Sequence, residues 1–256
     1  LHVDERERQK VDWKQAQINN LSFRYSPSKP TLEDIRFDFK KSEKIALVGE
    51  SGSGKSSLMA LMRGLYDPET LSLRIDGKPY DDLSPFFAIT TLIPQEPEVF
   101  ENTVRYNITV GLEYSEADIQ EALRLSRFDK VLERLPRGLE TDVREKGVTL
   151  SGGEKQRLAL ARGILAAQGS DIILMDEPTS SIDAHNEMAI YENIFSHFKE
   201  RTIISSVHRL HLLNKFDRVL VMNDGKIVQD GRLDDLINAD GPFKPLWDKY
   251  KTGSSL

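Results

Sequence analysis

Cysteine is absent from this chain of 256 residues. That excludes a disulfide framework, cysteinyl zinc or iron–sulfur sites, and a cysteine nucleophile. A reducing cytosol is compatible with the absence, which does not by itself fix a compartment. An excess of basic charge is also missing: 35 Lys and Arg stand against 41 Asp and Glu, a formal charge of −6. Such a balance gives no general attraction to nucleic acid or anionic lipid, though it allows a local basic site. Long apolar runs are lacking as well. The uncharged stretch from Leu83 to Gln95 is broken by Pro85 and Pro94 and falls short of the roughly 20 residues of a spanning helix. The opening LHVDERERQK has neither the apolar core nor the cleavage site of a secretory signal. It starts at Leu1 rather than Met and reads as a piece of something longer, with Asp4 to Lys10 as a solvated tether to a preceding domain.

Hydrophobic residues make up 39% of the chain, enough to fill one large core or two small ones. Apolar runs alternate with amphipathic stretches, which points to an α/β protein. KIALV (Lys44–Val48), DIILM (Asp171–Met175), TIISSV (Thr202–Val207) and RVLVM (Arg218–Met222) read as strands. DIILM and TIISSV are continuous β-rich runs, as strands covered on both faces of a parallel sheet would be. NNLSFRYS and LEDIRFDF instead alternate polar and apolar residues, as a half-exposed antiparallel sheet does. RVLVM-NDG-KIVQ has the turn residues of a hairpin. Leu158, Ala161, Arg162 and Leu165 share one helical face, as do Met188, Tyr191, Ile194, Phe195 and Phe198. Ser115, with Asp118 three residues on, is placed to cap a further helix. Residues 97–157 lack strong strands and read as a helical insertion, and TGSSL reads as a loose tail.

Chemistry concentrates in three strings. GESGSGKS, Gly49 to Ser56, follows a strand and precedes the helical run Ser57, Leu58, Leu61, Met62. In that setting Gly49, Glu50, Ser51, Gly52, Ser53 and Gly54 form a phosphate-binding P-loop, whose backbone N–H groups close around phosphate oxygens at a helix N-terminus. Lys55 supplies a charge for the β- and γ-phosphates, and the Ser56 hydroxyl can coordinate Mg²⁺. IILMDE, Ile172 to Glu177, ends an apolar strand in two carboxylates at the edge where α/β sheets bind ligands. Asp176 can hold Mg²⁺ through water and Glu177 can orient or deprotonate an attacking water. Alone, the same string is equally a strand followed by a solvated acidic turn. LSGGEKQR, Leu150 to Arg157, opens a helix with Ser151, Gly152 and Gly153, whose N–H groups and hydroxyl form a second anion site. The bland alternative is an N-capped helix. His208 and His211 also have helical spacing, but lack the further ligands of a metal pair.

On these strings, in this order, the chain resembles the nucleotide-binding domain of ATP-binding cassette (ABC) proteins, most closely the exporter type, over about residues 14–240. The resemblance implies a P-loop NTPase (RecA-like) core with an N-terminal antiparallel β subdomain and an inserted α-helical subdomain. Its divisions fall at a linker, 1–13; the β subdomain and first part of the core, 14–96; the helical signature subdomain, 97–157; the second part of the core, 158–240; and a tail, 241–256. It implies ATP and Mg²⁺ as ligands and ATP hydrolysis with Glu177, His208 and Lys55 as catalytic residues. Tyr25 corresponds to the aromatic that stacks on adenine, or is an ordinary strand tyrosine. Gln95 corresponds to the Q-loop glutamine that reaches Mg²⁺ or water and senses the transmembrane partner. Glu145 corresponds to a loop that touches exporter coupling helices, or is a solvated charge. Asp183 corresponds to the D-loop aspartate at the dimer interface, or is a helix cap. His208 corresponds to the H-loop histidine at the γ-phosphate. Ser151, Gly152 and Gly153 then close over ATP held by a partner's P-loop in a head-to-tail dimer.

The expected partners are ATP, a second nucleotide-binding domain in a homodimer, and transmembrane domains of the same or another chain, with no nucleic acid. The expected place is the cytoplasmic face of a membrane, the inner one in a bacterium. The alternative is a soluble ABC ATPase of the DNA-repair or translation type, against which the acidic charge weighs. A regulatory module without turnover would have lost Glu177 or the signature, and neither is lost. Departures from the family pattern are Ser42 where glycine is usual, the stretch 69–92, and SSID in place of SALD. They bear on loop geometry and on the fit to a coupling helix.

Overall fold

The computed structural model describes residues 12–27, 30–144 and 149–251; Glu145, Asp4 to Lys10 and the TGSSL end lie outside them. Strands β1 (Gln15–Phe23), β2 (Leu32–Lys40), β4 (Thr70–Ile75) and β5 (Lys78–Tyr80) form an antiparallel sheet in the order β2-β1-β4-β5. Strands β3 (Lys44–Val48), β6 (Thr90–Ile93), β7 (Ile172–Met175), β8 (Thr202–Ser206), β9 (Arg218–Asn223) and β10 (Lys226–Gly231) form a second sheet, ordered β10-β9-β3-β8-β7-β6. Its strands are parallel except β10, which returns from β9 as the hairpin read from NDG.

The uninterrupted apolar strings follow from burial on both faces. Every residue of β3, β7 and β8 is buried, and their side chains alternate between two cores. Ile45, Leu47, Ile172, Leu174 and Ile204 face the antiparallel sheet, where they meet Ile18, Phe39 and helix α1 (Lys55–Arg63). Ala46, Val48, Ile173, Met175 and Ile203 face the other way, into a core filled by helices of the insertion and of the C-terminal half. Those helices follow a four-residue turn, α2 (Ser84–Phe87). They are α3 (Val104–Thr109), α4 (Glu116–Leu125), α5 (Asp129–Leu132), α6 (Gly152–Ala166), α7 (Ala184–His197), α8 (Leu233–Asn238) and α9 (Phe243–Lys251). Ser115 caps α4 as expected, accepting from the Asp118 N–H at 3.1 Å. Among the described residues, no helix is long and apolar enough to cross a membrane.

Several elements depart from the sequence reading. β4, β5 and all but the last residue of β6 lie in the stretch 69–92, whose strands are too short and mixed to announce themselves; β4 and β5 are joined at Asp76 and Gly77, both at positive φ (49° and 81°). Trp13, assigned to the linker, is fully buried, edge-on to Phe39 at 5.7 Å. Residues 243–251 of the expected tail form α9, anchored by buried Phe243. Arg162 does not join the apolar contacts of its face: its guanidinium bonds the Glu98 carbonyl at 2.7 Å and lies over the Phe100 ring.

Ser42 shows what its departure from glycine entails. It takes φ 69° itself, and its carbonyl accepts from the buried Lys44 ammonium at 3.0 Å. The turn is therefore kept at the cost of left-handed strain, about 1–2 kcal/mol for a residue with a Cβ. Part of that gain is lost to the greater unfolded-state freedom of glycine. Ser42→Gly is expected to raise the unfolding free energy by about 0.5–1 kcal/mol, read from the denaturant midpoint at unchanged slope.

Candidate functional site

Four parallel strands end at one edge of the second sheet, and each releases a loop there. β3 releases the P-loop, β6 Gln95, β7 Asp176 and Glu177, and β8 His208. The register keeps these ends level, with Leu47 opposite Ser206, Met175 opposite Ser205 and Ile93 opposite Met175.

The P-loop is shaped by glycines where a side chain would not fit. A Cβ on Gly49 would lie 2.2 Å from the Met222 carbonyl oxygen, and Gly54 sits at φ 105° with its Cβ position 2.6 Å from Leu32. Gly54 also caps α1 without a side-chain acceptor, so the first N–H groups of that helix are left to face a ligand. The Lys55 ammonium folds back on the loop and donates to the Gly49 and Glu50 carbonyls at 2.7 and 3.0 Å. Burial lowers its pKa, partly opposed by the charges of Glu177 and Asp176. Those same two carboxylates place Lys55 within the electrostatic reach of the β7 edge. Ser53 and Ser57 are buried, and Glu50, Ser51, Gly52 and Ser56 are exposed.

At the end of β7 one hydroxyl organises both carboxylate residues. Ser206 Oγ donates to Asp176 Oδ1 at 2.7 Å and accepts from the Glu177 N–H at 2.7 Å. Glu177 needs that support, because its φ is 42° and such strain costs about 1–3 kcal/mol. A hydrogen bond to a carboxylate is worth about 1.5–3 kcal/mol and a neutral one about 1, so the Ser206 bridge offsets it. The Glu177 side chain reaches Gln95, whose Nε2 donates to Oε2 at 3.0 Å. His208 is exposed at the end of β8 and lines a cavity of about 320 Å³ together with Glu177. It also lines a cleft of about 280 Å³ with Gly49, Glu50 and Ser51.

Tyr25 joins this edge through α1: its hydroxyl donates to Ser57 Oγ at 3.2 Å, while its ring meets Phe23 and Tyr66 edge-on. The ring remains 57% exposed. Ser151, Gly152 and Gly153 open α6 against the turn at Ser181. Ser151 accepts from the Glu154 N–H and its own N–H donates to Glu154 Oε2 at 2.8 Å, a full capping box at α6. A Cβ on Gly153 would stand 2.8 Å from the Ser181 carbonyl. Among the described residues, these three have no hydrogen bond to the P-loop. Asp183 caps α7, accepting from the Asn186 backbone at 3.0 Å and its side-chain amide at 2.6 Å. Those bonds hold its pKa at about 2, so the carboxylate stays charged at an exposed turn.

Two residues of the site escaped the sequence reading. Ser206 lies inside TIISSV and looked like strand filler. Gln156, buried within the signature string, donates to the Glu177 carbonyl at 3.3 Å and to Ser180 Oγ at 3.0 Å, and accepts from the Ser181 N–H at 2.8 Å. Its place inside LSGGEKQR was the only available signal. For Mg²⁺ the fit is chemical: Asp176, a serine hydroxyl and the Gln95 amide are all oxygen donors, which suits a cation that takes few protein carboxylates and completes its shell with phosphate and water. No group of three or more His, Cys, Asp or Glu is placed to hold a metal among the described residues.

A glycine loop at a helix N-terminus, a buried lysine and a strand-end pair of carboxylates on one sheet edge define a P-loop nucleoside-triphosphatase. The family follows from comparison. The ABC transporter pattern matches residues 32–180, and the chain belongs to the ABC transporter family, as its ATPase domain. It is 36% identical to ATP-binding cassette sub-family B member 6 of Rattus norvegicus, covering 93% of this chain and 29% of that one. Identity is 33% with the mitochondrial iron-sulfur clusters transporter atm1 of Aspergillus fumigatus, over 91% of this chain and 32% of that one. It is 38% with the mycobactin import ATP-binding/permease protein IrtB of Mycolicibacterium smegmatis, over 85% and 38%. The structure of a bacterial Atm1-family ABC exporter with ATP bound matches with a TM-score of 0.83 at 32% identity, covering 93% of this chain and 42% of that one. The chain thus spans well under half the length of these relatives.

Removing the Ser206 hydroxyl tests the bridge. Ser206→Ala is expected to cost about 1–3 kcal/mol of stability, because the Asp176 carboxylate and the Glu177 N–H lose a buried partner, and to lower the ATPase rate. Denaturant unfolding and phosphate release measure the two effects.

Proposed function

We propose that this chain hydrolyses Mg-ATP at the interface of two head-to-tail copies and so powers export by transmembrane domains that it binds, at the cytoplasmic face of a membrane. The observation that carries the reading is the presence of two anion sites in one chain with no hydrogen bond between them among the described residues. The P-loop, Asp176, Glu177 and His208 share one sheet edge, while Ser151, Gly152 and Gly153 open α6. One ATP within one chain would leave the second site redundant.

In this scheme residues 14–96 and 158–240 form the ATP-binding core and 97–157 carry the signature. Tyr25 stacks on adenine, using its exposed ring. Gly49 to Gly54 and the first turn of α1, through Ser57, cradle the phosphates. Lys55 exchanges its loop carbonyls for the β- and γ-phosphate oxygens, gaining a stronger, charged partner. Ser56, Gln95 and Asp176 would hold Mg²⁺, which supplies charge neutralisation of the phosphate oxygens. Glu177, oriented by Gln95 and by the Ser206 bond to its backbone, takes the proton of the attacking water. His208 donates to the γ-phosphate. Ser151, Gly152 and Gly153 of the second copy close the site from above, with Asp183 at the interface.

The transmembrane partner is supported by an apolar groove of about 260 Å³ running along β6 and α6, lined by Leu92, Pro97, Phe100, Val110, Ala159 and Gly163. Phe100, Tyr106, Val110 and Leu112 are exposed around it, and an apolar surface beside Gln95 is a natural seat for a partner helix. Two of the relatives are named as a transporter and an import permease, and the structural neighbour as an exporter, which favours this reading over a repair or translation ATPase. One of those names refers to import and the structural neighbour's to export; the close match to the latter favours the exporter-type assembly.

Glu177→Gln is expected to abolish steady-state ATP hydrolysis and to leave ATP-dependent dimers that elute as a species of twice the monomer mass. Chelating Mg²⁺ is expected to stop hydrolysis in the unaltered protein. Undiminished turnover in either case, or an ATP-loaded Glu177→Gln protein that stays monomeric, contradicts the proposal.

A further inference from the structure

Behind the H-loop a buried carboxylate gathers partly exposed basic partners that have no part in the scheme above. Glu187, on the first turn of α7, is 3% exposed. Its Oε1 accepts from Thr179 Oγ1 at 2.7 Å, and its Oε2 accepts from Arg209 Nη1 at 3.1 Å. His211 Nε2 stands 3.4 Å from Oε2. The same Arg209 Nη1 donates to the Ile182 carbonyl at 2.6 Å. Thr179 is two residues beyond Glu177, Ile182 immediately precedes Asp183, and Arg209 immediately follows His208. One carboxylate therefore ties the turn that leaves Glu177 to the segment that carries His208.

His208 depends on such a tie. Its ring has no hydrogen bond among the described residues, so the backbone on either side sets its position. On one side, the Val207 N–H donates to the Leu47 carbonyl at 3.0 Å. On the other side Arg209 is held by Glu187 and Ile182, next to the buried Leu210. A buried carboxylate is costly unless its partners are in place, so Glu187 resists the loss of Thr179 and Arg209. The cavity of about 320 Å³ between it and the site is bounded by Glu177, Glu187, His208 and Arg209, which leaves His208 room to shift when the tie shifts.

We propose that Glu187 is a positioning residue for ATP hydrolysis. Through Arg209 it fixes His208 relative to Glu177, and it passes any displacement of the 179–183 turn, the segment placed at the dimer interface, on to His208. This rests on the reading that Glu177 and His208 act on ATP. Gln156 ties the same turn to this chain's signature helix, so the turn links two elements that serve different composite sites in the proposed dimer.

The test compares Glu187→Gln, His208→Ala and the double variant by single-turnover hydrolysis, which resolves slow residual rates, and by equilibrium ATP binding. Glu187→Gln keeps an acceptor for Thr179 and loses the charge facing Arg209. It is expected to lower the rate about 10- to 100-fold, the scale of a misplaced catalytic group, with ATP affinity within about twofold. In the His208→Ala background the same substitution is expected to add no further loss, because Glu187 acts through His208. A Glu187→Gln rate within twofold of the unaltered protein overturns the inference, and so do losses that multiply in the double variant. If Glu187→Gln fails to fold, Arg209→Gln carries the same comparison. If Glu177→Gln and His208→Ala leave hydrolysis intact, the underlying reading fails and this inference with it. If those two lower the rate and Glu187→Gln does not, only the inference fails.

Discussion

The parallel pairing of β3, β8, β7 and β6 is the constraint on which everything else rests. Each functional loop leaves the carboxyl end of one of these strands, and the register Leu47–Ser206, Met175–Ser205 and Ile93–Met175 keeps those ends level. A slip of one residue in any pair would exchange side chains between the two cores and displace a loop by about 3.3 Å along the strand. The cores on both faces oppose such a slip. Ile45, Leu47 and Leu174 are committed to one core, and Ala46, Val48 and Met175 to the other, so the register is fixed twice over.

On that rigid ladder the site is completed by short polar links that reach from one element to another. Ser206 on β8 holds the Asp176 carboxylate and the strained Glu177 backbone of β7. Gln95 after β6 reaches the Glu177 side chain. Gln156 on the signature helix holds the turn after β7. These links cross between elements far apart in sequence, so the P-loop edge, the signature helix and the turn leading to Asp183 are mechanically continuous. A displacement at the signature can therefore be felt at Glu177 without any contact between the two anion sites.

The parts of this arrangement legible in the sequence are those carried by local pattern. The buried strands announced themselves as unbroken apolar strings, the P-loop by glycines in a strand–loop–helix setting, and the cap at Ser115 by a serine three residues before a carboxylate. β4, β5 and β6 were missed because short strands with mixed residues lack a clear period, and α9 because its anchor, Phe243, is a single apolar residue after a glycine and a proline. Ser206, Gln156 and Glu187 were invisible for a different reason. A serine in a strand, a glutamine in a helix and a glutamate in a helix's first turn are ordinary locally. Their importance comes from partners 29, 25 and 22 residues away, which only the fold supplies.

The central claim is that an active site is built from the P-loop of one chain and the signature of another. Mixing two disabled chains tests it most directly. Lys55→Ala removes the P-loop charge and leaves the signature, while Gly152→Asp places a carboxylate in the signature and leaves the P-loop. Each alone is expected to be inactive. Mixed dimers contain one intact composite site, so ATP hydrolysis should return on mixing and depend on the proportion of the two chains. A mixture as inactive as its components would contradict the account.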